Sequence, residues 1–373
     1  MAKKVGILTA GSDAPGLNAA IRAFGKAART TYGVEVIGFR DGFNGLMANR
    51  TMDLGGDALS NVLTMGGTML GTSRDVPHAI EENGEIVDRT NVAVDVYHEN
   101  GLDALVCIGG QESQEAALHL QRAGLSVLTL PKSAVNDVAK TDITIGFDTA
   151  KFIATEAIDR LHSTANSNHR IIIVEIMGRD VGWLTLGSGI ASGADVVLIP
   201  EIPYSIDKIS QAIIDRKKAG KMFSIVAVAE GANSSELVAF FNRSMKINRK
   251  IHEDESMETS TERMNELRKK YTGQTLLLAN RLEETTGIES RITILGYLLR
   301  GGTPSASDRV LATHLGTRAA DLVDAGEFGI MVSFQNGQAV SVPLEEVAGL
   351  EKPVPLDHPW ITGARHVGTM LGD

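Results

Sequence analysis

The chain has 373 residues, 43% of them hydrophobic and 22% charged, which is the make-up of an ordinary globular protein and excludes a disordered one. That length suits two domains of roughly 150 to 200 residues each, with a cleft between them. A net charge of −10 disfavours nucleic acid or a membrane surface as partner, although an acidic chain can still focus positive charge inside a cleft.

The first ten residues carry two lysines but no long apolar core or cleavage pattern, so no signal peptide is expected. No apolar run approaches the roughly 20 residues that a membrane-spanning helix needs. A single cysteine, Cys107, sits in the apolar run Ala104 to Ile108. It excludes an intrachain disulfide, reads as a buried strand residue, and fits a reducing, cytoplasmic compartment.

In chain order, short apolar runs start at Val5, Glu35, Ala104 and Ser126, each closing on Gly, Pro or small polar residues. Helical patterns lie between them, among them Asn18 to Thr31 and Ser113 to Ala123. This alternation predicts parallel strands with helical crossovers. The rhythm resumes with runs from Arg170, Ala194 and Phe223, so a second α/β lobe is expected from about residue 150. Residues 242–274 are highly charged without an apolar stripe and read as an exposed helical hairpin or a mobile insertion. The tail from Pro353 to Asp373, rich in Pro and Gly, reads as irregular structure.

In an open parallel sheet, ligands collect where strands give way to helices. Three such loops stand out: Ala10 to Asn18, Gly109 to Ser113, and Pro131 to Asp137 followed by Thr141-Asp142 and Gly146 to Ala150. The first is neither a P-loop nor a dinucleotide fingerprint, and alone it is weak, because Gly-rich turns are common connections. Lys132 in the third can neutralise a phosphate, whereas a lone loop lysine is more often solvated.

Order and spacing together are specific. GILTAGSDAPGLNAAIR (Gly6 to Arg22) resembles the opening of the phosphofructokinase family, usually GGDAPGMNA, and GGTMLGTSR (Gly66 to Arg74) resembles its next phosphate loop. The resemblance continues through Pro131 to Ala150, His169 to Trp183, Val228 to Gly231 and Ser290 to Arg309, nearly the whole chain. It implies two Rossmann-like, doubly wound α/β lobes of phosphofructokinase type. The larger, on the phosphoryl-donor side, is expected at 1–147 plus 299–348. The smaller, on the sugar-phosphate side, is expected at 148–298 plus 349–373, with the insertion 242–274.

The resemblance implies sugar-phosphate contacts from Ser133, Met177, Gly178, Arg179, Glu230, Tyr297 and Arg300, with Arg170 and Arg291 usually given across a subunit interface. Guanidinium groups suit this task because their paired donors grip phosphate oxygens, while a carboxylate accepts from sugar hydroxyls. A homo-oligomer, dimer or tetramer, follows, or one mixed with an active homologue. Leu299 stands where glutamine is usual, which implies a changed sugar contact or a structural adjustment.

Donor contacts are implied for Gly11, Ser12, Arg74, Gly110, Gln111, Glu112, Ser113 and Lys132. ATP-using relatives usually read GGDGS at the second loop, with aspartate holding Mg²⁺; here Gln111 and Glu112 follow the glycines. An amide holds Mg²⁺ weakly, so Gln111 is a poor metal ligand. Glu112, Lys132 and Tyr297 resemble the pyrophosphate-using branch. Catalytic roles fall to Asp137, Lys132 and Arg179, but Val135 occupies the position of the family's general base, the first aspartate of TIDND. Two functions are therefore expected in competition. One is phosphoryl transfer from pyrophosphate, or less favourably ATP, to the C1 hydroxyl of fructose 6-phosphate or a related sugar phosphate, with Mg²⁺. The other is a catalytically silent member that binds sugar phosphate and regulates an active partner.

Overall fold

The computed structural model describes residues 3–241, 243 and 273–373. The chain forms two compact units, Met1–Ala150 with Tyr297–Lys352, and Lys151–Gly296 with Pro353–Asp373. No helix among the described residues is long and apolar enough to cross a membrane. The reading of 242–274 as a hairpin or insertion falls almost wholly outside the described residues.

The first unit holds a seven-stranded sheet. Its parallel centre comprises β1 (Lys4–Thr9), β2 (Glu35–Phe39), β6 (Ala104–Gly109), β7 (Val127–Pro131) and β12 (Ile330–Gln335). Antiparallel strands β3 (Thr51–Asp53) and β13 (Gln338–Pro343) close its two edges. Spatially the order is β13-β12-β7-β6-β1-β2-β3. Every residue of β6 is buried, as continuous apolar runs in sheets covered on both faces require. Cys107 lies fully buried within it, and burial pushes its thiol well above the ordinary range.

Helix α1 (Leu17–Tyr32) packs its apolar face on this sheet beside the long helix Ala306–Ala325. A short antiparallel hairpin, β4 (Ile80–Glu82) with β5 (Glu85–Val87), follows the Gly66–Arg74 loop. The second unit carries a four-stranded parallel sheet in the order β11-β8-β10-β9, with β8 at Ile171–Ile176, β9 at Val196–Leu198, β10 at Ser224–Ala229 and β11 at Ser290–Ile294. The tail is more regular than its Pro and Gly content suggests. A helix runs from Pro359–His366, its amide at Trp360 capped by the His358 imidazole at 3.2 Å, with Pro placed where its missing N–H costs nothing.

Asp308, fully buried, ties the start of helix Ala306–Ala325 to the loop after β7. Its two oxygens accept from the Gly146 amide at 2.9 Å, the Thr149 amide at 2.8 Å and the Thr149 hydroxyl. Burial raises its carboxyl above the ordinary carboxylate value. Replacing it with alanine strands these donors, each unsatisfied buried group costing about 1–3 kcal/mol. We expect Asp308→Ala to lower the melting temperature sharply and Asp308→Asn, which keeps an acceptor, to lower it less.

Candidate active site

Three loops of the first unit come together at the C-terminal ends of β1, β6 and β7. In the first, the Ala10 amide donates to the Ile108 carbonyl at 2.9 Å and Gly11 to the Ser73 carbonyl at 2.8 Å, which joins it to β6 and to the Gly66–Arg74 loop. The Thr72 hydroxyl returns a bond to the Gly11 carbonyl at 2.7 Å. Ser12 does not block this loop; its hydroxyl accepts from exposed Arg74 at 3.4 Å. Asp75 turns away to accept from the Asn44 amide group at 2.8 Å.

In the second loop, helix α4 (Gln111–Arg122) begins directly after β6. Its cap, Gly110, offers no side-chain bond, and with the Ser113 amide on the Gly110 carbonyl at 3.1 Å the Gln111 and Glu112 amides remain available to an anion. Gly109 must be glycine, because a Cβ there would lie 2.2 Å from the Ser113 side chain. Ser113 is buried, Gln111 half-buried and Glu112 exposed.

The third loop carries Lys132, only 3% exposed, whose ammonium donates to the Ser12 carbonyl. Burial pulls its pKa down to about 8, opposed by the nearby carboxylate of Asp137 and reinforced by the guanidinium of Arg300. The Ser133 hydroxyl accepts from the Val135 amide at 3.1 Å, and the Ser133 carbonyl accepts from Thr144 Oγ1 at 2.7 Å. Asn136 adopts a left-handed φ of 60°, with its side-chain oxygen taking the Thr144 amide at 3.0 Å. This turn places Val135 and Asp137, both half-buried, on either side of Asn136. Arg300 lies 4.9 Å from the ring of Tyr297, which is 75% exposed. Leu299 is fully buried.

The second unit assembles its own group. The Glu230 amide bonds the Ile176 carbonyl and the Gly231 amide bonds the Gly178 carbonyl, each at 3.0 Å, so the ends of β8 and β10 meet. Gly231 admits this contact because a Cβ would sit 1.7 Å from the Arg179 carbonyl. Met177 is buried while Arg179 and Glu230 reach solvent. Arg170 and Arg291 stand at the opposite, N-terminal ends of β8 and β11. There they share Glu289: Arg170 Nε bonds it at 2.6 Å and Arg291 takes its other oxygen. The bond from Arg170 holds the Glu289 carboxyl below its ordinary value. A strand of six residues spans about 20 Å, so these arginines and Arg179 do not form one cluster within a chain.

Sequence reasoning passed over Glu289 and the buried pair Gln114 and Thr129. Gln114 Nε2 bonds the Gly109 carbonyl at 3.1 Å, and its Oε1 accepts from the Thr129 hydroxyl. A polar residue inside an otherwise apolar helix face was the available signal.

Parallel sheets with amide-rich loops and a buried lysine at the strand C-terminal ends define a doubly wound α/β protein built to hold phosphate groups. The family model described as Phosphofructokinase matches residues 4–323. The chain is 52% identical over 373 residues to the ATP-dependent 6-phosphofructokinase of Propionibacterium freudenreichii, covering 100% of both. It is 46% identical over 372 residues to that of Spirochaeta thermophila, covering 99% of this chain and 97% of the relative. Among solved structures, Pichia pastoris phosphofructokinase in the T-state matches with a TM-score of 0.77 and 31% identity over 93% of this chain, which spans 35% of that longer chain. The pyrophosphate-dependent phosphofructokinase of Marinobacter aquaeolei shares the fold, with a TM-score of 0.76 and 21% identity over 99% of this chain and 88% of that one. The chain belongs to the phosphofructokinase family of phosphotransferases.

The depressed pKa of Lys132 has a definite sign. Between its folded value of about 8 and its unfolded value near 10.4, the unfolded chain holds more protons, so this group makes stability rise with pH. We expect Lys132→Met to raise the melting temperature at pH 7, where the ammonium is buried charged, and the gain to shrink as pH climbs through 8 towards 10. Melting curves across that range check it.

Proposed function

We propose that this chain binds fructose 6-phosphate and pyrophosphate and transfers phosphate to the sugar's C1 hydroxyl slowly, without the family's general base. The observation that carries the donor assignment is Lys132, a buried ammonium bonded to the Ser12 carbonyl of the first loop. A lysine there, with the carboxylate of Glu112 on the neighbouring helix end, suits a compact diphosphate and crowds a nucleotide. The relatives named above point to ATP by name, and the substitutions at these two positions favour the smaller donor.

In this reading Lys132, Arg74 and the first amides of α4 neutralise and orient the donor, while Arg179 and Glu230 of the second unit hold the sugar phosphate. Positioning and charge supply the rate that remains, as fits phosphoryl transfer, where the protein does little covalent chemistry. Gln111 presents a neutral amide, so the loop does not hold Mg²⁺ by itself. The ion enters with the donor, as magnesium pyrophosphate. Its soluble, phosphorylated substrates suit the cytoplasm. Arg170 and Arg291, at the far end of the second sheet, are offered to a neighbouring copy in a dimer or tetramer.

Val135 favours a second reading, in which the chain binds sugar phosphate, transfers nothing and regulates an active homologue within a mixed oligomer. A valine accepts no proton, and loss of a positioned base costs about 100- to 10,000-fold. A coupled assay with fructose 6-phosphate and Mg²⁺, run separately with pyrophosphate and ATP, separates these readings. We expect slow turnover with pyrophosphate, raised by about 100-fold or more in the Val135→Asp, Gln111→Asp double variant. Faster turnover with ATP overturns the donor assignment, and turnover in the variant alone establishes the silent reading. Independently, we expect fructose 6-phosphate to raise the melting temperature of the chain and to do so much less for Arg179→Ala.

A further inference from the structure

A second cluster of ligating side chains lies along α4, away from the residues assigned to donor and sugar. Glu115 and His119 are four residues apart on that helix and so share one face. Opposite them stands His78, in the segment that runs from the Arg74 loop into the β4–β5 hairpin. One ligand atom from each of the three lies within 4.8 Å of the others, the one such group of three His, Cys, Asp or Glu side chains among the described residues.

Two further features set this cluster apart from a chance meeting of surface groups. His78 Nδ1 is buried with no hydrogen-bond partner among the described residues, an arrangement that ordinarily calls for an unseen partner. The His78 and His119 rings also stack 4.0 Å apart at 7°. Asp88 adds negative charge close by, its Oδ1 accepting from the Thr90 amide at 2.8 Å.

We propose that His78, Glu115 and His119 bind a divalent transition-metal ion of the zinc type, with water in the remaining position. Two imidazoles and a carboxylate are a zinc donor set, whereas Mg²⁺ prefers oxygen ligands and its own water. Zinc bonds of about 2.0–2.2 Å put tetrahedral ligands about 3.4 Å apart. The three groups close that gap when the stacked rings tilt apart, a turn about the broad imidazole torsion. The bound ion staples the 76–90 segment to the helix whose first residues are Gln111 and Glu112. Gln111, Glu115 and His119 follow one another at four-residue steps, about 6 Å of rise each, so the staple sits one turn beyond the donor loop.

The test uses full-length, tag-free chain stripped with a chelator and dialysed, titrated calorimetrically with zinc chloride and followed by melting temperature. One ion per chain and a rise of several degrees are expected, with no rise from Mg²⁺. Glu115→Gln, at an exposed position, and His119→Gln, at a half-buried one, are expected to fold like the stripped wild type and to weaken zinc binding about 100-fold or more. Should either variant fail to fold, zinc-induced shifts of the His78 and His119 ring protons in the wild type give the same answer. No saturable zinc binding, equal affinity in both variants, or unshifted ring protons overturns the proposal.

Discussion

The Gly109 carbonyl is the point on which the donor side of this protein turns. It accepts the Lys132 amide at 3.0 Å and the Gln114 side chain at 3.1 Å, so one oxygen fixes both the lysine loop and the helix that follows the second glycine loop. The absence of a Cβ at the same residue lets Ser113 pack against it. From this junction the Lys132 side chain reaches the Ser12 carbonyl, which brings in the first loop. A buried ammonium would be a liability in an apolar core. Here it sits among carbonyl and carboxylate oxygens and is poised to meet an anion.

In the proposed reading, that electrostatic arrangement persists where Val135 stands in place of a proton-accepting carboxylate. Val135 sits in a turn held by bonds from its neighbours: Ser133 takes its amide, and Asn136 takes the Thr144 amide. The turn is therefore held by backbone, by Ser133 and by Asn136, and does not need a carboxylate at 135 to keep its shape. On the proposed reading, the shape of this turn and the chemistry of a carboxylate at 135 are separable.

Much of the fold was legible because buried parallel strands write continuous apolar runs: β6 and β7 fall where Ala104 and Ser126 open theirs. The antiparallel strands β3 and β13 were less legible, since short, half-exposed edges carry mixed residues. The helix Pro359–His366 escaped notice because its cap is a histidine rather than Ser, Thr, Asp or Asn. At the site, motif spacing placed Lys132, Gln111 and Arg179 on strand-end loops. It could not reveal that Glu289 bridges Arg170 and Arg291, or that His78 faces His119, because those contacts join segments distant in sequence.

The most direct measurement is a crystal structure of the chain with fructose 6-phosphate and magnesium pyrophosphate. The account predicts pyrophosphate against Lys132 and the α4 amides, with the apolar side chain of Val135 facing the C1 hydroxyl. Pyrophosphate bound away from Lys132, or a water held by Asp137 within hydrogen-bond distance of that hydroxyl, would contradict it.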